Sequence, residues 1–369
     1  MMIPVYRPYH DDLEIKYLRD VIDSGWWGMG PKTAEFEQKF ASYIGTKHAL
    51  GLNSATAALH LALMCIGVQG GEVITPAMTF VSTNHAILYN GGTPVFCDIE
   101  PENLNMTAEE IAKLITAKTR AIIVVHYGGY ACDMDPIMEL AREHGLYVVE
   151  DCAHACGGEY KGRKLGSIGD FGSYSFQAVK NLATGDGGML TTNNDEWASR
   201  IKKLRWVGIS KDTFDRGAGN SYDWFYNVTE PGFKYHMNDI IAAIGLAQFE
   251  KLDWMNGRRR YWSDRYRESL HDIPGVVCPP VKEYMHPACH NFVVKAHNRD
   301  ELRAKLMGKG ITTGVHYYPN HLFDMYKAYY RELPVSERIW KELVTLPLYP
   351  DLSEEDHRLI IDSIREFYV

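Results

Sequence analysis

No apolar run in this 369-residue chain approaches the ~18–20 residues that a membrane-spanning helix needs. The N-terminus, MMIPVYRPYHDDLEIKYL, lacks the basic-then-apolar layout of a secretory signal. Cysteine is sparse and unpatterned. Cys65, Cys97, Cys132, Cys152, Cys156, Cys278 and Cys289 are odd in number and form no CxxC pair. No disulfide framework is expected, and the composition reads as that of a cytoplasmic protein in a reducing compartment. Positive charge is not in surplus either: 39 Lys and Arg against 47 Asp and Glu leave −8. That argues against a general nucleic-acid binder, which needs a basic face to displace counterions. There is no GxxxxGK[ST] loop, no GxGxxG in a βαβ context, no internal repeat and no low-complexity tract. With 46% hydrophobic and 23% charged residues, long disorder, collagen and a coiled-coil rod are excluded. At roughly 150 residues per domain, the length fits one large and one small domain.

What is present is alternation. Short runs rich in Val and Ile, bounded by Gly, Pro or Asp, predict strands over 48–52, 72–75, 93–99, 120–126, 146–151, 171–176 and 187–192. Helices are predicted between them. Asn53-Ser54 caps one over 55–66, Thr107-Ala-Glu-Glu110 opens one over 108–115, and another spans 136–144. Such alternation predicts an α/β fold with a mostly parallel seven-stranded sheet, helices on both faces, and ligands at the carboxyl ends of the strands. Beyond 200 the texture changes. Residues 206–237 read as a long loop or hairpin, and 238–272 as a long helix whose basic Arg258-Arg259-Arg260 reads as a solvated helix end, with contact to a nucleotide pyrophosphate as the alternative. The remainder reads as a small α/β domain with strands over 291–296 and 311–316, a helix over 299–309 and a last helix capped by Ser353. The expected division is 1–250 and 251–369.

The stretch 149–188, VEDCAHACGGEYKGRKLGSIGDFGSYSFQAVKNLATGDGGM, carries the chemistry. Asp151 ends an apolar strand. Lys180 follows the next strand, ahead of the glycine-rich turn Gly185-Asp-Gly-Gly188. A lysine in a crevice beside a carboxylate is what pyridoxal 5'-phosphate (PLP) needs: the amine forms the Schiff base, and the acid keeps the pyridine nitrogen protonated. Ser54, Ala55 and Thr56 open a helix directly after a strand, where free N–H groups and hydroxyls suit a phosphate. Ser175 can add a hydroxyl, Phe80 a ring to stack on the pyridine, and His154 a hydrogen bond. Cys152 and Cys156 flank His154 at metal-like spacing, but Gly157-Gly158 supplies no further ligand, so no metal is expected.

The chain resembles the nucleotide-sugar aminotransferases of the DegT/DnrJ/EryC1/StrS family, on the aspartate-aminotransferase fold (PLP fold type I). The resemblance runs from Gly25-Trp-Trp-Gly-Met-Gly30-Pro through NSATAALHLAL, ITPAMTFVSTNHAI, PVFCDIEPENLNM, SFQAVKNLATGDGGM and EPGFKYHMNDIIAAIGLAQFEKLD to GITTGVHYYPNH and LPLYPDLSEED. EPGFKY and TGVHYYP are most similar to the branch that aminates C4 of UDP-linked 4-keto sugars, such as the UDP-4-amino-arabinose and pseudaminic-acid enzymes. The resemblance implies that Lys180 is the Schiff-base lysine and Asp151 the partner of the pyridine nitrogen. Ala55, Thr56 and Ser175 would contact the phosphate, Phe80 would stack, and His154 would touch the phenolic oxygen. Trp27, His316 and Tyr317 fall on segments that would shape the sugar site. It further implies a homodimer with shared sites, into which the segment around Lys234 and His236 reaches. Many members read GYNYRM there, and this chain reads Gly232-Phe-Lys-Tyr-His-Met237, leaving Lys234 or a neighbour such as Asn227 to make the contact.

The activity implied is transfer of an amino group from L-glutamate to a nucleotide-linked keto-sugar, with pyridoxamine 5'-phosphate (PMP) as the alternate cofactor form. Two rival readings are a PMP-dependent sugar dehydratase, whose members carry His where Lys180 stands, and an aminotransferase acting on a keto substrate without a nucleotide. A third reading is a PLP-sensing regulator or a non-catalytic scaffold; regulators on this fold carry an appended DNA-binding domain, and this sequence resembles the family from about Ile3 onward.

Overall fold

The computed structural model describes residues 2–210 and 224–369. The first half of the chain builds β1 (His48–Leu52), β2 (Glu72–Pro76), β3 (Thr93–Cys97), β4 (Thr119–Val125) and β5 (Tyr147–Asp151). A small hairpin follows, β6 (Glu159–Tyr160) and β7 (Arg163–Lys164), then β8 (Phe171–Ser175) and β9 (Gly188–Thr192). Seven of these strands form one sheet in the order β1-β9-β8-β5-β4-β2-β3. All neighbours are parallel except at β9, which runs antiparallel to both β8 and β1. The seven strands are those the alternation predicts, with ends moved by one or two residues.

Both faces of the sheet are covered, and consecutive side chains divide between two cores. On β4, Ile122 and Val124 join one cluster with Phe36, Phe40 and Tyr174, whereas Ala121 and Ile123 join the other with Leu59, Leu63 and Leu190. This is why the strands read as unbroken apolar runs instead of alternating ones. The helices that flank the sheet carry recognisable ends. Asp11 closes a capping box on Asp12–Ser24, Pro31 starts Pro31–Ile44, and Ser54 caps Ala55–Ile66.

A 32-residue helix, Asp239–Leu270, joins the two parts of the molecule, with Asn238 accepting from Ile241 N–H at its start. Its first half packs Ala242, Leu246 and Leu252 into the larger core. Its last turns place Trp262, Tyr266 and Leu270 in a second core. That second core lies on a three-stranded antiparallel sheet of β10 (Val276–Val277), β12 (Phe292–Ala296) and β13 (Leu343–Leu346); β11 (Met285–His286) pairs instead with β6. Position 250 lies inside the long helix.

Two expectations need correction. No continuous strand runs over 311–316: Ile311 bridges Ile3, while Gly314 bridges Thr345, so the segment switches partners. The arginine triplet is not a solvated helix end. Arg258, Arg259 and Arg260 donate to the carbonyls of Pro350, Leu348 and Pro287, and Arg259 is buried. A triplet that reads as a helix end from charge alone is a set of staples holding the smaller unit to the helix. Residues 206–237 form antiparallel bridges at Trp206–Lys234 and Ile209–Val228; the part of that segment over 211–223 lies outside the described residues.

Candidate active site

Register brings the site together. Asp151 ends β5 opposite Val125 of β4 and Ser173 of β8. Across the other side, Ser175, Gly188 and Leu52 stand in one row over β8, β9 and β1. The helix capped by Ser54 starts just past that row. A Cβ placed on Gly188 would fall 2.4 Å from the Ser54 carbonyl carbon, so only glycine allows this approach. The turn after β8 folds back through Thr184 N–H to Phe176 O and Ala178 N–H to Gly185 O, which carries Lys180 over the strand ends.

The result is a cavity of about 480 Å³ lined by Ser54, Ala55, Thr56, Phe80, Asp151, His154, Ser175, Lys180, His316 and Tyr317 among others. Ten of the residues expected from the sequence thus share one cavity. Two do not line it within the chain. Trp27 is 54% exposed near Ile22. Lys234 is exposed, with its ammonium 3.5 Å from the centre of the Trp206 ring.

Electrostatics divide the cavity's groups. Burial lowers the Lys180 amine to about 8, with the Asp151 charge pulling the other way. Among the described residues Lys180 makes no side-chain hydrogen bond or ion pair. Burial raises Asp151, offset in part by the Ala153 N–H at 3.0 Å, the Thr83 hydroxyl at 2.8 Å and the Lys180 charge. Thr79 extends this set, its hydroxyl 2.8 Å from that of Thr83. Burial holds His154 well below its ordinary value and His316 down to about 4, and the Lys180 charge adds to both. Behind Asp151, Glu150 is fully buried. It accepts from His126 Nε2 at 3.0 Å and from the N–H groups of Gly166, Ile168 and Gly169 at 2.7–2.8 Å.

PLP fits this arrangement. A buried carboxylate held only by neutral donors is completed by a protonated ring nitrogen. A desolvated amine without a partner is completed by an electrophilic carbon. The Ala55 and Thr56 N–H groups, in a helix's first turn without intrahelical acceptors, suit a phosphate. Sequence reasoning missed Thr83, Tyr6 and His290, which complete the site. Thr83 is 68 positions from Asp151, and nothing local marks the pairing. His290 arrives from the small unit and stacks on His154 at 4.5 Å between ring centres.

The comparisons agree with this chemistry. The profile of the DegT/DnrJ/EryC1/StrS aminotransferase family matches residues 8–365. The chain is 40% identical over 376 residues to the spore coat polysaccharide biosynthesis protein SpsC of Bacillus subtilis, covering 99% of this chain and 96% of that one. It superposes on the aminotransferase TlmJ of Streptoalloteichus hindustanus with a TM-score of 0.93 at 36% identity, covering 99% and 98% of the two chains. Spr1654 of Streptococcus pneumoniae, solved in PMP and PLP forms, superposes with TM-scores of 0.93 and 0.92 at 31% identity and the same coverage. With that coverage, and with the lysine, the carboxylate and the helix N-terminus in one cavity, the chain belongs to the DegT/DnrJ/EryC1/StrS aminotransferase family and is a PLP-dependent aminotransferase.

Proposed function

We propose that the protein transfers the amino group of L-glutamate to a nucleotide-linked keto-sugar, at C4 of a 4-keto-6-deoxy or 4-keto pentose sugar, in the making of an amino sugar for a surface polysaccharide or related glycoconjugate. Similar solved structures include sugar aminotransferases, and SpsC serves polysaccharide biosynthesis. The observation that carries the reading is Lys180 facing the same cavity as Asp151, with no competing partner for its amine among the described residues. When bound, PLP supplies an electron-withdrawing ring that stabilises negative charge at the donor's α-carbon.

The chain's residues do the rest. Asp151 keeps its charge against the ring nitrogen. Ser54, Ala55, Thr56 and Ser175 hold the phosphate end, and Phe80 covers the ring. The Lys180 amine takes the proton from Cα of glutamate and later delivers one to the sugar carbon that receives nitrogen; a value near 8 suits both directions. Net, glutamate leaves as its 2-oxo acid and the sugar carbonyl becomes an amine. Trp27, His316 and Tyr317 shape the sugar side. Lys234 meets the phosphate of the partner chain in a cytoplasmic homodimer, and each chain is organised as units 1–250 and 251–369.

The test is a half-reaction. Glutamate added to PLP-loaded protein should convert the visible band to a near-ultraviolet one. A panel of UDP-, dTDP- and GDP-linked 4-keto and 3-keto sugars should then restore it with one member only. Restoration by none of them, or by a keto compound without a nucleotide, overturns the substrate; no response to glutamate overturns the donor.

A further inference from the structure

The rings beside Lys180 fix where their protons go. The Gly128 N–H meets His154 Nδ1 at 3.3 Å. A backbone N–H only donates, so Nδ1 is bare and the neutral ring carries its proton on Nε2. His154 Nε2 lies 2.9 Å from Tyr317 Oη. The imidazole therefore donates to the phenol oxygen, and the phenol's own hydrogen is left for another acceptor. Among the described residues the Tyr317 hydroxyl has no second hydrogen-bond partner, and Tyr317 lines the cavity.

The other two imidazoles of the cavity are committed as well. Asn181 Nδ2 gives its hydrogens to Asn256 Oδ1 and Ala288 O, both at 2.8 Å, so its Oδ1 accepts from His290 Nδ1–H at 3.1 Å. Tyr6 donates to Asn291 Oδ1 at 2.8 Å, so His316 Nε2–H, 3.2 Å away, donates to Tyr6, and its Nδ1 accepts from Thr345 at 2.7 Å. None of these three rings has an N–H left for a ligand. The rings are also stacked in a column: Tyr317 on His154 at 13°, His154 on His290 at 29°, and His290 on Tyr6 at 6° between planes.

We propose that Tyr317 is the group that donates a hydrogen bond to an acceptor oxygen of the bound cofactor or substrate, and that His154 is a positioning residue that aims it and touches neither. This reverses the expectation that His154 itself meets the cofactor, and it rests on the proposed function only for the ligand's identity. Burial holds the Tyr317 phenol well above its ordinary value and His154 well below its own, so the donor stays loaded across the neutral range.

The test uses Tyr317→Phe, which keeps the stack, with His154→Leu, His154→Gln and the double variants. PLP-free protein is titrated with PLP by absorbance, and the glutamate-driven loss of the visible band is timed. With the acceptor on the cofactor, Tyr317→Phe weakens PLP about 5- to 30-fold. With the acceptor on the substrate, PLP affinity holds, and either the glutamate rate or the rate at which the keto-sugar restores the band falls by that factor. His154→Leu should show the same loss alone and add little to Tyr317→Phe. His154→Gln should retain function, since its amide accepts from Gly128 and donates to Tyr317. Labelled-histidine ¹⁵N spectra should report the Nε2–H form. Unchanged PLP affinity together with unchanged rates of both the glutamate and the keto-sugar steps in Tyr317→Phe, or a full added loss from His154→Leu in that background, overturns the proposal. Protein that binds PLP but ignores glutamate defeats the proposed function instead, and the PLP titration still decides the role of Tyr317.

Discussion

At the scale of single residues, Lys180 is defined by what it has lost: water. Its amine near 8 leaves about one in ten molecules neutral at pH 7, against about three in ten thousand for an ordinary lysine. The rate at which PLP-free protein captures PLP is therefore expected to climb about tenfold per pH unit and level off above pH 8. Stopped-flow absorbance between pH 6 and 10 checks this; a climb that continues to pH 10 marks an unperturbed amine. Lys180→Ala should abolish turnover and the adduct that borohydride traps, read by mass spectrometry of the peptide. Asp151→Asn keeps the shape and the Thr83 contact but removes the charge, and should cost about 100-fold or more in turnover. Lys180, Asp151 and Ser54–Thr56 were legible because each lies at or just past a strand end in a pattern local to the chain. Thr83, Tyr6 and His290 were not, because their partners lie 68 or more positions away. Burial, which sets the Lys180 amine and the phenol of Tyr317, is a property of the packed site and leaves no mark on the chain.

At the scale of elements, β5 is held from behind. Glu150 collects four donors, three of them backbone N–H groups from the 166–169 turn. That anchors the strand end on which Asp151 sits. Burial alone would raise the Glu150 carboxyl, but His126 and the amides of Gly166 and Gly169 outweigh it and hold it low. Glu150→Ala strands these donors without solvent and should cost about 3–5 kcal/mol, measured by urea denaturation at pH 7. The sign with pH follows from the lowered value. The stabilisation is full above the ordinary carboxylate range near 4.5 and is lost as pH falls through the lower folded value. The gap between variant and native protein should accordingly narrow in acid. Strands were legible because both faces are buried and apolar runs stand out. The 311–316 segment misled because its apolar texture serves two partners, Ile3 and Thr345, in turn. The arginine triplet misled because charge was taken for exposure, whereas each guanidinium finds a carbonyl.

At the scale of the molecule, one chain leaves its own site open. Phe80 is 58% exposed at the rim of the cavity, and Trp224 and Phe225 are 75% and 61% exposed on the flank of the segment that bears Lys234. Aromatic surface of this kind suits the interface of the homodimer proposed above. Lys234 lies outside the cavity of its own chain, its ammonium against Trp206. If it serves the partner's phosphate, two dead chains should repair each other. Lys180→Ala lacks the amine, and Lys234→Glu puts a negative charge where a phosphate belongs. In a mixed dimer, the chain bearing Lys234→Glu still offers Lys180, and its partner still offers Lys234, so one site of the two is intact. Random re-association of equal amounts makes half the dimers mixed, giving about one quarter of native turnover. The two variants are unfolded together, refolded, and assayed against each alone. Recovery to that fraction establishes a site built from two chains. A mixture no more active than its parts returns Lys234 to a role within its own chain, on the outer wall of a site that a single copy completes.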